Sequence, residues 1–320
     1  MAFEILEKDL VGRIGRLRTK SGIIETPALF PVINPVKQVV PLSDIANIGF
    51  NQVITNAYLL KRHYGDLVKE VGVHKMLNWD KPIMTDSGAY QLLMYGKVEV
   101  SPDEILKYEI DIGTDIGVIL DIPTQWGRPR EAVFLEVEET LRRARAALVK
   151  ARMWDPEHKM LLVGPVQGGD KLDILKYSAA KMSELNFDIY AIGSPTTLLE
   201  EYDFSTIMRM IAVVKEKLPP GKPVHLFGAG HPLILPFAVA MGIDLFDSAS
   251  YVLYARDDRI ILRDRTVRLS EVRVDRIPCN CPVCRRYSVK ELMSMNKAER
   301  ERLLAIHNLY VLWEEIQEIK

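Results

Sequence analysis

Residues 189–227, IYAIGSPTTLLEEYDFSTIMRMIAVVKEKLPPGKPVHLF, decide the fold. A short apolar run, Ile189–Ile192, turns at Gly193. Phe204, Ile207, Met208 and Ile211 then recur at the three-to-four spacing of one helix face. A Pro- and Gly-containing turn leads into a second apolar run, Pro223–Phe227. Two strands joined through a helix run parallel, because a return in the same direction needs a crossover rather than a hairpin.

Outward from this unit the rhythm repeats. Ala28–Val32, Gln52–Thr55, Pro82–Thr85, Ile116–Leu120, Leu161–Val166 and Ile243–Phe246 read as further strands, and Phe134, Val137, Leu141, Ala144 and Leu148 mark another helical face. Eight such strands suggest closure into an α/β (β/α)8 TIM barrel, with an open doubly wound sheet as the alternative. After the eighth strand the rhythm changes. A hairpin, Ile260–Leu262 and Thr266–Leu269 around Arg263-Asp264-Arg265, leads to a cysteine cluster, and a helix around Arg300–Ile319 closes the chain. The expected division is a catalytic barrel over 1–255 completed by a helix at 308–320, with a small metal-stapled subdomain at 256–307 near the C-terminus.

Composition supports a folded domain of this size. The 320 residues are 48% hydrophobic and 27% charged, with ordinary Gly, Pro and aromatic content, which excludes coiled coil, collagen-like repeat and wholesale disorder. The longest apolar stretch, Leu233–Ile243, is about half the roughly 20 residues of a membrane-spanning helix and is broken by Pro236. The acidic N-terminus, MAFEILEKDL, lacks a signal-peptide core, so a cytoplasmic location is expected. Charge is nearly balanced at 42 Lys+Arg to 43 Asp+Glu, yet Arg256–Arg302 alone holds 13 basic and 8 acidic residues. The C-terminal quarter is the basic end, either an Arg-rich solvated face or a contact for phosphates.

In a barrel the C-terminal strand ends aim at a common mouth. Here those ends carry Asn56, Asp86, Asp121, Gln167, Gly193, Gly228 with Gly230, and Asp247. Any one of them could cap a helix. Three carboxylates and an amide together point to chemistry, since carboxylates sharing a cavity split into a proton donor and an ionised nucleophile. Asp86 and Asp247 are candidates for such a pair at an anomeric carbon. Asp121 and Gln167 suit the edge of a planar heterocycle. Gly168-Gly169 and Gly228-Ala229-Gly230 allow close backbone approach, or simply form turns.

All three cysteines, Cys279, Cys281 and Cys284, lie within six residues. This suits a metal better than a disulfide framework, a redox thiol group being the alternative. Three soft thiolates match Zn2+, and the nearest downstream histidine, His307, can complete a closed, structural four-ligand site. His225 and His231 read as structural residues.

These residues resemble a family. The motifs are Gln52-Val-Ile-Thr-Asn-Ala-Tyr58, Met84-Thr-Asp-Ser-Gly-Ala-Tyr-Gln91, Leu120-Asp-Ile-Pro-Thr124, Val166-Gln-Gly-Gly169, His225-Leu-Phe-Gly-Ala-Gly-His-Pro232, Asp244-Leu-Phe-Asp-Ser-Ala-Ser-Tyr251 and Cys279/Cys281/Cys284/His307. From about Thr26 to His307 the chain resembles the tRNA-guanine transglycosylases, most closely the catalytic domain of the archaeal, archaeosine-forming members. The resemblance implies a pentosyltransferase that replaces an encoded guanine of tRNA with a 7-deazaguanine by double displacement at ribose C1′. It implies Asp247 as nucleophile, Asp86 as general acid/base, and Ser87, Tyr90, Asp121, Gln167, Gly193 and Phe227 around the base, with Tyr90 or Phe227 stacking on it. It further implies one structural Zn2+, no nucleotide cofactor and a homodimer.

Two departures from the family pattern matter. Archaeal members usually continue into further C-terminal domains, whereas this sequence stops at Lys320, so a separate polypeptide is expected to supply the RNA grip unless the barrel acts alone. Ala191–Thr197 is also less apolar than the family's loop near the 7-substituent. The archaeal-like motifs favour 7-cyano-7-deazaguanine over the 7-aminomethyl base. Rival readings are a DNA-acting 7-deazaguanine transglycosylase, a non-catalytic RNA-binding subunit, and an ordinary barrel glycosidase or aldolase, the last leaving the cysteines and basic segment unexplained.

Overall fold

The expected apolar runs become eight parallel strands of one sheet in the computed structural model, which describes residues 2–89, 100–193, 198 and 201–320. Ahead of them lies a three-stranded antiparallel sheet with no counterpart in the expected element order: β1 (Phe3–Asp9), β2 (Gly12–Thr19) and β3 (Gly22–Thr26). The barrel strands follow as β4 (Ala28–Pro31), β5 (Val53–Asn56), β6 (Ile83–Asp86), β7 (Ile116–Val118), β8 (Leu161–Val166), β9 (Ile189–Ile192), β10 (Val224–Leu226) and β11 (Leu245–Ser248). Each neighbouring pair is parallel, and the sheet order β4-β11-β10-β9-β8-β7-β6-β5 places the first and last members side by side. The seam closes just beyond β4, where Val32 bridges Ile54 and the Ile33 N–H donates to the Ile54 carbonyl at 2.8 Å.

Alternation divides the core into two layers. Ala28, Phe30, Ile54, Met84, Ile116, Val118, Leu161, Val163, Ile189, Ala191 and Leu245 fill the barrel interior, where Phe3, Leu17 and Ile24 of the N-terminal sheet join them. Val53, Ile83, Leu162, Tyr190, Val224, Leu226 and Phe246 face outward into the sheet–helix layer. The interior is therefore a packed core, and the small sheet plugs the end where the strands begin.

That end is also stitched by carboxylates. Asp115, Asp188 and Asp244, each one residue before an odd-numbered strand, accept the backbone N–H groups of Ile83, Leu162 and Val224 at 2.9, 2.9 and 2.8 Å. Asp244 is also held by Arg13 of β2, through Nε at 2.6 Å and Nη2 at 2.8 Å, in a buried pair that fastens the plug to the barrel.

The long helix Arg130–Trp154 buries Val133, Val137, Leu141, Ala144, Ala147 and Ala151 and leaves Phe134 exposed, so its apolar seam is one position from the expected one at the N-terminal end. The hairpin forms as β12 (Arg259–Ile261) and β13 (Thr266–Arg268), and the last helix runs unbroken from Lys297 to Ile319, across the 307–308 boundary drawn from sequence. This helix packs on Ser250–Arg256, β4, β12 and the first helix, Leu42–Ile48. Buried Asn308 ties it in place, accepting from the Ile261 N–H at 2.7 Å and donating to the carbonyls of Tyr251 and Arg259. Among the described residues no helix is long and apolar enough to cross a membrane.

Candidate active site

The parity that fills the barrel interior also builds its mouth. On β5, β6 and β11 the next inward position beyond Ile54, Met84 and Leu245 is Asn56, Asp86 and Asp247. On β8 and β9 the same phase reaches Gln167 and Gly193 just past the strand, and on β10 it gives His225 and, one residue past the strand, Phe227. Polar groups thus begin one side-chain layer above the apolar core, where the strands point toward solvent.

Asp86 is enclosed by donors and by other acids. Asn56 Nδ2 donates to its Oδ2 at 2.9 Å, and the Gly88 N–H, on a left-handed backbone at φ 98°, donates as well. Burial is the main cause that pushes this carboxyl up to about 7, followed by the negative charges of Asp121 and, more weakly, Asp247; the two donors hold it down. Asp86 and Asp247 therefore lie within electrostatic reach across one mouth. Behind Asp86 the outward-facing Thr85 donates to Glu109 Oε1 at 2.8 Å, and burial holds the Glu109 carboxyl well above the usual range.

Asp121 stands three residues beyond β7. Its segment is tied to the helix Arg130–Trp154, with the Ile122 N–H donating to Thr140 Oγ1 at 3.0 Å and Arg143 donating to the Leu120 carbonyl at 3.2 Å. Gln167 Nε2 donates to Asp121 Oδ2 at 2.6 Å, while Gln167 Oε1 accepts from the Thr124 N–H at 3.2 Å, which fixes the amide's orientation. Burial pushes Asp121 up to about 6 against the lowering effect of the Gln167 bond. A Cβ at Gly193 would lie 2.2 Å from Gln167 Nε2, so this amide occupies the space a side chain would take.

Asp247 receives His225 Nε2 at 2.8 Å and the Gly228 N–H at 2.9 Å, both on Oδ1. The Gly228–Gly230 turn is braced by Ser250, whose hydroxyl donates to the Gly230 carbonyl at 3.0 Å. Ser87 is fully buried and its hydroxyl has no partner among the described residues, leaving one polar atom for a ligand. Phe227 is half-buried beside the His225 ring, with centroids 4.7 Å apart. Tyr90 lies outside the described residues, as do 194–197 of the Ala191–Thr197 loop. His231, by contrast, is satisfied by Thr266 and the Leu233 N–H, away from the carboxylates.

Sequence reasoning missed the contact between His225 and Asp247 and the buried Glu109. The inward phase of His225 on β10 was readable, but which side chain of β11 meets it was not.

The cysteines and His307 converge on a second centre. The ligand atoms of Cys279, Cys281, Cys284 and His307 lie within 4.8 Å of one another. His307 Nε2 faces the Ile261 carbonyl at 3.0 Å, which places the ring hydrogen there and turns the bare Nδ1 toward the thiols, 3.3 Å from Cys284 Sγ and 3.5 Å from Cys281 Sγ. Three thiolates and an imidazole whose far nitrogen is so anchored are a donor set that fits a tetrahedral metal ion. Nearby, Arg285 and Arg286 are exposed, whereas Arg263 is engaged by Glu315 and Glu318 and Arg265 by Asp264.

Comparison with known proteins agrees with this geometry. The profile of the family described as queuine tRNA-ribosyltransferase matches residues 9–320. A tRNA-guanine(15) transglycosylase of Pyrobaculum aerophilum is 56% identical over 320 residues, covering 100% of this chain and 63% of that protein. Those of Sulfolobus acidocaldarius and Methanocaldococcus jannaschii are each 48% identical, over 99% and 100% of this chain and 63% and 49% of theirs. The chain spans between about half and two thirds of the length of these relatives.

Proposed function

This chain belongs to the queuine tRNA-ribosyltransferase, or tRNA-guanine transglycosylase, family, and on that premise we propose that it exchanges a guanine of tRNA for a 7-deazaguanine. The observation that carries the reading is the pairing of Asp86 and Asp247 at the ends of β6 and β11, with the Asp247 charge among those that raise Asp86.

In this reading Asp247 attacks C1′ while the bonding pair of the N-glycosidic bond leaves with guanine. Asp86, held near 7 and so able to exist in both forms at neutral pH, gives the departing base its proton and later takes one from the incoming base. Two displacements at one carbon retain the β configuration and need no nucleotide cofactor. Asp121 and Gln167 read the polar edge of the base, Ser87 supplies a buried hydroxyl, and Tyr90 or Phe227 stacks on the ring. Flipping the nucleotide out of its stack costs a few kcal/mol, which contacts to the base and flanking phosphates offset. The exposed Arg285 and Arg286 are placed to meet phosphates.

The position is guanine 15, the one named for the relatives, and the 7-cyano base, favoured by the sequence motifs, is the partner in this reading. Cys279, Cys281, Cys284 and His307 would hold one Zn2+, whose contribution is a closed cross-link between the 256–307 segment and the C-terminal helix. A homodimer completes the reading. Its test is incorporation of labelled guanine or 7-cyano-7-deazaguanine into tRNA and into duplex DNA. Asp247→Ala is expected to abolish uptake by tRNA, and undiminished uptake overturns the assignment.

A further inference from the structure

We propose that His225 is a positioning residue that reserves one oxygen of Asp247, Oδ2, for attack at the ribose carbon. This rests on Asp247 being the nucleophile. Among the described residues both donors that reach the Asp247 carboxylate, His225 Nε2 at 2.8 Å and the Gly228 N–H at 2.9 Å, fall on Oδ1. Oδ2 takes no hydrogen bond from the described residues. A carboxylate with one oxygen doubly bound cannot rotate freely, so its two oxygens are no longer equivalent.

The ring that makes this clamp is itself held. His225 is fully buried, stacked on Phe30 at 6.0 Å and 22°, with Phe227, one residue past β10, at 4.7 Å and 48°. Its Nδ1 has no partner among the described residues. A hydrogen on Nδ1 would be buried without an acceptor and would leave the Nε2 lone pair against a carboxylate oxygen. A hydrogen on Nε2 avoids both penalties. The apolar packing thus sets the ring plane, and the carboxylate sets the tautomer.

The consequence for the reaction follows bond by bond. As the Oδ2–C1′ bond forms, the C1′–N bond breaks with its electron pair leaving on guanine, which takes the Asp86 proton. Oδ1 becomes the ester carbonyl and keeps both donors. In the return step the incoming base bonds to C1′, its proton passes to Asp86, and the Oδ2–C1′ pair returns to a carboxylate whose charge the same two donors receive. Removing the ring N–H lets the carboxylate rotate, so Oδ2 is less often aligned with C1′ in the forward step, and it takes away one of the two donors that receive the charge in the return step; the grip on tRNA is left alone.

The test uses the full chain, a guanine-15 tRNA and two variants. His225→Phe keeps the ring between Phe30 and Phe227 and removes the donor; His225→Gln keeps an N–H near the Nε2 position. The rate of forming the covalent tRNA complex, read on denaturing gels, should fall about tenfold to a hundredfold in His225→Phe, the range for one hydrogen bond to a charged group. The tRNA dissociation constant should stay within about twofold, and His225→Gln should recover most of the rate. A folded His225→Phe that forms the complex at the parent rate, or a loss traced wholly to weaker tRNA binding, overturns the proposal. Asp247→Asn in the same assay separates the two readings: if it still forms the complex, the nucleophile assignment fails instead. The unaltered protein provides an independent measurement by 15N-histidine NMR, where the His225 ring should carry its hydrogen on Nε2 with Nδ1 bare. A ring whose hydrogen is on Nδ1 with Nε2 bare refutes the clamp whether or not either variant folds.

Discussion

Replacing Gly193 by alanine should damage base recognition while sparing the fold. The added methyl would sit 2.2 Å from Gln167 Nε2 and 2.6 Å from its Cδ, at least about 1 Å inside ordinary contact for the nitrogen. Its nearest neighbours are the far end of a flexible side chain, so Gln167 swings away and the barrel backbone stays. That swing breaks the 2.6 Å bond to Asp121 and the 3.2 Å bond from the Thr124 N–H. A hydrogen bond to a charged acceptor is worth about 1.5–3 kcal/mol, so the KM for guanine should rise roughly tenfold to 150-fold. The Gln167 bond holds Asp121 down, so its loss moves that carboxyl above about 6 and leaves more of it protonated at neutral pH. The KM defect should accordingly be largest near pH 6.5 and shrink toward pH 8.5. Thermal unfolding, steady-state exchange at several base concentrations and the pH series together check this. A folded Gly193→Ala with the parent KM at pH 6.5 would show that Gln167 does not read the base. A large drop in Tm would show that the clash is met by the backbone.

Three further outcomes follow from the same geometry. Asp86 is held near 7, above its unfolded value of about 3.9, so its burial is tolerated below that unfolded value and penalised progressively as pH rises toward 7. Asp86→Asn should therefore be more stable than the parent at pH 8 by about 2–4 kcal/mol in denaturant titrations, with the gain vanishing near pH 4. Arg13→Met removes the cation from the buried Asp244 carboxylate and should cost about 3–5 kcal/mol, the amount for breaking a buried pair from one side, while the double change Arg13→Met with Asp244→Asn should recover part of it. Cys281→Ser should lower metal content, measured by atomic emission, from one ion per chain toward none. It should loosen amide protection in β12, β13 and the start of the last helix while the barrel strands keep theirs.

The barrel was legible because its strands are apolar on both faces, the mark of a parallel sheet covered by helices. Where the expected ends differ from the observed ones, the site is the reason. β5, β6 and β11 run on through Asn56, Asp86 and Asp247, polar residues that apolarity alone assigns to loops, yet the ladder pairs Asn56 with Asp86 and Asp247 with Phe30. The N-terminal sheet was not legible because β1 exposes most of its residues, and only Phe3, Leu17 and Ile24 reveal that it covers anything. Strand-end chemistry identified the carboxylates and Gln167. The role of a histidine depends on which partner the neighbouring strand brings to it, and no spacing within one strand encodes that.

The two ends of the barrel use the same residue type for opposite purposes. Below, Asp115, Asp188 and Asp244 each accept a backbone N–H of the neighbouring strand, and Asp244 has Arg13 as well, so these charges are matched and lock the strand register. Above, Asp86, Asp121 and the Glu109 behind them crowd one buried space in which burial is the largest influence on each, and all three lie above the usual carboxylate range. A mouth assembled this way is a net drain on folding free energy, which a region with no task would be free to shed by substitution to amides or apolar residues. The stitched lower end and the packed interior are what allow the upper end to keep carboxyl groups poised near neutrality, where a single group can both release and accept a proton.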